Sequence, residues 1–120
     1  MPRVRRGNKR LQKRKKILSR AKGYWGTKSK LHRSAKEAVD RALQFAYRDR
    51  KAKKREFRSL WIVRISAAVK RHELSYSKFI AGLNKAGVSL NRKMLAEIAA
   101  TDPNAFKSLV DTASKALSAS

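Results

Sequence analysis

Apolar side chains along this 120-residue chain keep the helical period, and their pattern changes near residue 60. No glycine or proline occurs between residues 27 and 81, while Ala, Lys, Arg, Glu and Leu are abundant from 35 to 71. This composition predicts one long helix from about Ser34 to about Arg71, roughly 60 Å at 1.5 Å per residue. Such a helix is longer than a small globular domain requires, so something outside the chain must hold its first half. Positions 35, 38, 42, 46, 49, 52, 56, 60, 63 and 67 step by threes and fours and form one stripe. That stripe reads Ala, Ala, Ala, Ala, Asp, Ala, Glu, Leu, Val, Ala.

Beyond Leu60 the pattern becomes a series of short amphipathic helices with readable ends. Trp61, Ile65 and Ala68 begin a second apolar face on the long helix. In "ELSYSKFIAGLNKAG" (73–87), Ser75 is the expected N-cap, Tyr76, Phe79, Ile80 and Leu83 share one side, and Gly87 is the expected stop. Asn91 is a good cap for "RKMLAEIAAT", with Met94, Leu95 and Ile98 expected to turn inward. Asp102 followed by Pro103 marks a further start, and Phe106, Leu109, Val110, Ala113 and Leu117 carry the last apolar face. Strand signals are absent. The expected fold class is all-α: an extended basic N-terminal arm with a long helix, plus a small globular helical C-terminal domain. The expected division is residues 1–58 and 59–120, and the second part can bury one small core of marginal stability.

Charge sharpens this division. Thirty-two Lys and Arg against eight Asp and Glu give a formal net charge of +24. Residues 1–58 carry 23 basic and 4 acidic residues, and residues 59–120 carry 9 and 4. Fifteen Lys and Arg precede the first acid, Glu37. Self-repulsion of this size opposes compaction unless a polyanion neutralises it, and the asymmetry points to a nucleic-acid-binding arm. The run "RDRKAKKREFR" (48–58) spreads seven basic side chains over an arc of roughly 220° at 100° per residue. A helix lying on one side of a duplex needs only a narrow basic stripe, so this one is built to be surrounded by phosphates. A solvated helix balanced by Glu37–Arg41 and Asp49–Lys53 pairs is the plainer alternative, but two acids cannot balance the seven bases of 48–58.

Other classes of function find little support. The chain has no cysteine, so disulfides and thiolate metal sites are excluded, which suits a reducing cytoplasm. No apolar run approaches membrane-spanning length, and "MPRVRRGNKRLQKRKK" lacks the apolar centre of a secretory signal. An organellar transit peptide would not carry its charge on into residues 48–58. His32 and His72 stand forty residues apart without a carboxylate cluster, so neither metal nor cofactor is expected. "GTKS" (26–29) fails the phosphate-loop pattern, because Thr27 and Ala21 occupy the positions that require glycine. With no nucleophile motif and no paired carboxylates, an enzyme is not expected.

Read in order, "MPRVRRG" (1–7), "AKGYWG" (21–26), "AYRDRKAKKREFRSLWIVRI" (46–65) and "LSYSKFIAGLNKAGVSLNRKMLAEIA" (74–99) resemble the bacterial large-subunit ribosomal protein L20 family. The resemblance covers about residues 1–110 and weakens in "NKRLQKRKK" (8–16) and after Asp111. It implies an all-helical ribosomal constituent whose N-terminal extension threads into large-subunit ribosomal RNA. It also implies an early role in subunit assembly, neighbouring ribosomal proteins as partners, and a cytoplasmic, ribosome-bound location. In some members the C-terminal domain represses translation of its own operon by binding the messenger RNA. No small-molecule substrate and no membrane partner are implied.

Charge and resemblance together place the expected RNA contacts. They are Arg3, Arg5, Arg6, Lys9, Arg10, Lys13, Arg14, Lys15, Lys16, Arg20 and Lys22 near the start; Tyr24, Trp25, Lys28, Lys30 and Arg33 around the glycine pair; Arg48, Arg50, Lys51, Lys53, Lys54, Arg55 and Arg58 on the long helix; and Arg92 with Lys93 in the C-terminal part. Gly23 and Gly26 permit a bend between a short basic helix, about 9–20, and the long one. Tyr24 and Trp25 in that bend can stack on RNA bases, or fold back on Leu18 or Leu31 as a satellite cluster. An architectural DNA-binding protein would share the electrostatics but would show a dimer seam or a groove-entering motif. A membrane-surface helix would need bulky apolar residues where 35–46 offers alanine.

Overall fold

The computed structural model describes Arg3 and residues 6–119; Arg5, one of the expected RNA contacts, lies outside the described residues. Five α-helices and a 3-10 turn follow one another: α1 (Lys9–Arg20), the turn Gly26–Ser29, α2 (His32–Lys70), α3 (Tyr76–Lys85), α4 (Arg92–Thr101) and α5 (Pro103–Ser118). No strand occurs among the described residues, so the all-α expectation holds. The long helix begins two residues earlier and ends one earlier than its composition suggested. Packing divides the chain into two compact units, residues 1–51 and 52–120, with α2 contributing to both.

The first unit holds α1, the 3-10 turn and the first turns of α2. Asn8 caps α1 by accepting a hydrogen bond from the Leu11 amide at 3.2 Å, a local device that satisfies one of the orphan amides of a helix start. After α1 the backbone passes through left-handed conformations at Gly23 (φ 84°) and Gly26 (φ 57°). A Cβ at either position would strain the backbone, which is why glycine brackets the Tyr24–Trp25 pair. Ala21, Ala35 and Val39 are buried here, with Ile17, Leu18 and Tyr24 packed partly against them.

The second unit has a different kind of interior. Ile65 and Val69 of α2, Phe79 and Leu83 of α3, Leu95 and Ala96 of α4, and Phe106, Val110 and Ala113 of α5 form one core. The Phe79 and Phe106 rings meet at 5.4 Å between centroids, a tilted aromatic pair. At the closest approach of α3 and α5, a Cβ on Gly82 would lie 2.5 Å from the Ala113 carbonyl oxygen. Backbone cannot move aside as a flexible side chain can, so that approach requires glycine.

Helix ends in this unit follow local side-chain chemistry. Ser75, Asn91 and Asp102 each accept a hydrogen bond from the amide three residues ahead, at 3.4, 2.9 and 3.0 Å. Pro103 occupies the first position of α5. Two helices end in the same Schellman arrangement. At the end of α3, Val88 N donates to Leu83 O (3.0 Å) and Gly87 takes φ 76°. At the end of α2, Leu74 N donates to Val69 O (3.5 Å), and Glu73 takes φ 60° where glycine is usual.

One inward assignment is corrected. Met94 is 42% exposed, whereas Ala96, two residues on, is 1% exposed and part of the core. The inward face of α4 is Leu95, Ala96, Ile98 and Ala99, and Met94 falls outside it.

Candidate nucleic-acid interface

Every basic residue of α1 lies on the surface. Lys9, Arg10, Lys13, Arg14, Lys15, Lys16 and Arg20 are all exposed, and the helix buries no residue at all. Arg3, Arg6 and Lys22 on either side are exposed too, as are Lys28, Lys30 and Arg33 beyond the glycines. With only Ile17 and Leu18 packed partly against the small Ala21–Ala35–Val39 cluster, α1 gains little core stabilisation. Its charge pattern gives a dense cationic surface rather than a packing element.

The aromatic pair divides. Trp25 is 89% exposed, the most open of the exposed large apolar side chains. Tyr24 is half-buried and packs on the Ala21–Ala35–Val39 cluster beside Ile17 and Leu18. Tyr24 thus follows the fold-back reading and packs beside Leu18, while Trp25 leaves its ring open to solvent. Leu31, one suggested packing partner, is 55% exposed and stands outside that cluster.

On α2, Arg48, Arg50, Lys51, Lys53, Lys54, Arg55 and Arg58 are all exposed. The ion pair in this stretch joins Arg48 Nε to Asp49 Oδ1 at 3.0 Å, so Asp49 is not bonded to Lys53. Rings inserted among the cations steady some of them: Arg48 lies 4.5 Å from the Phe45 centroid, Lys51 4.5 Å from Tyr47, and Lys53 5.9 Å from Phe57. Exposed cation–π contacts are worth about 0.5–1 kcal/mol each, enough to orient a side chain without neutralising it. Sequence reasoning passed over these rings; their signal was the threading of Phe45, Tyr47 and Phe57 through the basic run.

Arg92 and Lys93 open α4, and only one of them is free in solvent. Arg92 is half-buried and donates from Nε to the Tyr76 hydroxyl at 2.8 Å. That bond fixes the guanidinium plane and leaves its two terminal nitrogens as donors. Lys93 is exposed on the rim of a hollow formed with Trp61, Arg64 and Glu97. Among the described residues no group of His, Cys, Asp and Glu could hold a metal, and no helix is long and apolar enough to cross a membrane. The surface is suited to phosphates and base faces.

The family model for Ribosomal protein L20 matches residues 3–109. This chain belongs to that family. Large ribosomal subunit protein bL20 of Koribacter versatilis is 66% identical over 116 residues, covering 97% of this chain and 96% of that one. The bL20 protein of Syntrophotalea carbinolica is 57% identical over 113 residues (94% and 96% of the two chains), and that of Francisella tularensis subsp. tularensis 56% over 117 (98% and 99%). As an L20 family member the chain is a bacterial-type, cytoplasmic ribosomal protein and not an enzyme. Membership also decides against the DNA-architectural and membrane-surface alternatives, which share only the charge.

Proposed function

We propose that this chain is a structural constituent of the large ribosomal subunit that binds large-subunit ribosomal RNA directly and promotes an early step of subunit assembly. Neighbouring large-subunit proteins are its other partners. The observation that carries this reading is the exposed cationic surface of α1 and of α2 from Arg48 to Arg58, where a single ion pair with Asp49 answers seven bases. Cations held in solvent beside so small a buried cluster as Ala21, Ala35 and Val39 are what a folded polyanion can order and neutralise. Residues 1–58 supply most of the phosphate contacts in this reading. Residues 59–120 supply a folded platform, with Arg92 oriented by Tyr76 as one of its contacts.

The test is the salt dependence of binding to large-subunit ribosomal RNA, for the full chain and for residues 59–120. The shorter piece keeps all nine buried residues of the larger core, from Ile65 to Ala113. If residues 1–58 neutralise about ten phosphates, the log–log salt slope falls by roughly 7 to 9 when they are removed. An unchanged slope places the phosphate contacts elsewhere and overturns the division of labour.

A further inference from the structure

Within the first unit, the 3-10 turn and the early turns of α2 enclose an open hollow of about 620 Å³, within the range of roughly 300–1,000 Å³ typical of small-ligand sites. Thr27, Lys28, Glu37, Asp40, Arg41 and Gln44 are among the residues that line it. The carboxylates are the unexpected part. Residues 1–58 carry only four acids against 23 bases, and two of the four stand in this hollow.

Neither a place at the helix start nor a formed ion pair engages them. Neither lies in the first turn of α2, where the helix dipole favours a carboxylate. Glu37 and Arg41 have the spacing of an intrahelical pair, yet among the described residues neither Glu37 nor Asp40 takes part in an ion pair or a side-chain hydrogen bond. A surface intended for phosphate alone loses by carrying them, since like charges repel. Two unengaged carboxylates beside Lys28 and Arg41 suit a ligand with both hydrogen-bond donors and negative charge.

A carboxylate accepts and cannot donate. In unpaired RNA, bases are read on their exposed Watson–Crick edges. Guanine alone presents two adjacent donors there, N1–H and N2–H, which one carboxylate or two neighbouring ones can accept. Cytosine and adenine set a ring-nitrogen acceptor beside the amino group, and uracil flanks its single N3–H with two carbonyls. We propose that this hollow receives one unstacked guanosine of the bound RNA, its Watson–Crick edge on the Glu37 and Asp40 carboxylates and its phosphates on Lys28 and Arg41. The inference rests on the RNA-binding reading above and gives that surface a base-specific site within its phosphate contacts.

The signs of the expected effects make it testable. The full chain and the Glu37→Gln/Asp40→Asn double variant are titrated at one salt concentration against transcribed large-subunit ribosomal RNA and a scrambled RNA of equal length. Complexes are then probed with kethoxal, which reacts at guanine N1 and N2. The substitutions raise the formal charge from +24 to +26, so binding to scrambled RNA should tighten. Affinity for the ribosomal RNA should instead fall about tenfold, the scale of one lost bidentate base contact, and a guanine protected by the unmodified chain should become reactive. Tighter binding to both RNAs with an unchanged kethoxal pattern would overturn the site while leaving RNA binding intact. If the unmodified chain neither prefers the ribosomal RNA nor protects any guanine, the RNA-binding reading fails first and the site falls with it.

Discussion

Residues 1–51 and 52–120 are both helical, but they hide very different side chains. The five largest fully buried side chains, Phe79, Phe106, Ile65, Leu95 and Val69, all lie in the second unit. The first unit buries Ala21, Ala35 and Val39. Each large side chain stabilises by about 1.5–3 kcal/mol when fully buried. The second unit therefore draws far more stabilisation from its own core than the first, which buries two methyl groups and a valine and whose excess of cations opposes compaction. Helical pattern therefore says what shape a segment adopts, while buried volume says who supplies the energy.

The largest expected effect tests the second unit. Phe106→Ala removes one ring of the Phe79–Phe106 pair from the middle of the core and should cost roughly 3–5 kcal/mol by urea denaturation, enough to unfold a domain of this size. The comparison breaks if the variant retains a cooperative transition near that of the unmodified chain.

The next effect separates the two rings of the first unit. Trp25→Ala should lower affinity for cognate RNA by about 1–3 kcal/mol, the scale of one lost stacking contact, and leave scrambled-RNA binding unchanged. Tyr24→Ala opens the small Ala–Ala–Val cluster instead and should weaken binding to both RNAs alike. Equal losses on both RNAs for Trp25→Ala would mean that its ring also supports the fold.

The smallest expected effect sharpens the account of helix ends. Glu73→Gly relieves a left-handed residue at the end of α2 and should raise the stability of the second unit by about 1 kcal/mol in the same urea experiment. A loss would mean that the Glu73 side chain holds the turn by a contact stronger than the strain it carries.

What could be read in advance was what acts over a few residues. The caps at Ser75, Asn91 and Asp102 were legible because each side chain meets an amide three residues ahead. The bend at Gly23 and Gly26 was legible because left-handed backbone favours glycine, and the same reasoning gave no sign of Glu73. Met94 misled because it is apolar and stands four residues before Ile98, the helical spacing of one face, yet the residues of α4 that pack inward are Leu95, Ala96, Ile98 and Ala99. Tyr24 packs on a cluster that includes Val39, and Tyr76 fixes Arg92 sixteen positions away; no local pattern announces either contact. For the candidate interface, the charge run was plain in the sequence. The rings that steady it and the two free carboxylates in the α2 hollow needed side-chain positions in space.

The central claim is that the first unit borrows its order from RNA while the second keeps its own. Amide hydrogen exchange on the RNA-free chain tests this most directly, because it reads local opening segment by segment. Protection should be confined to residues beyond about Ser59, with α1 and residues 35–55 exchanging rapidly, as a charged segment of low apolar burial should. Adding large-subunit ribosomal RNA should extend protection back through α2 into α1. Strong protection across 35–55 in the free chain would contradict the account.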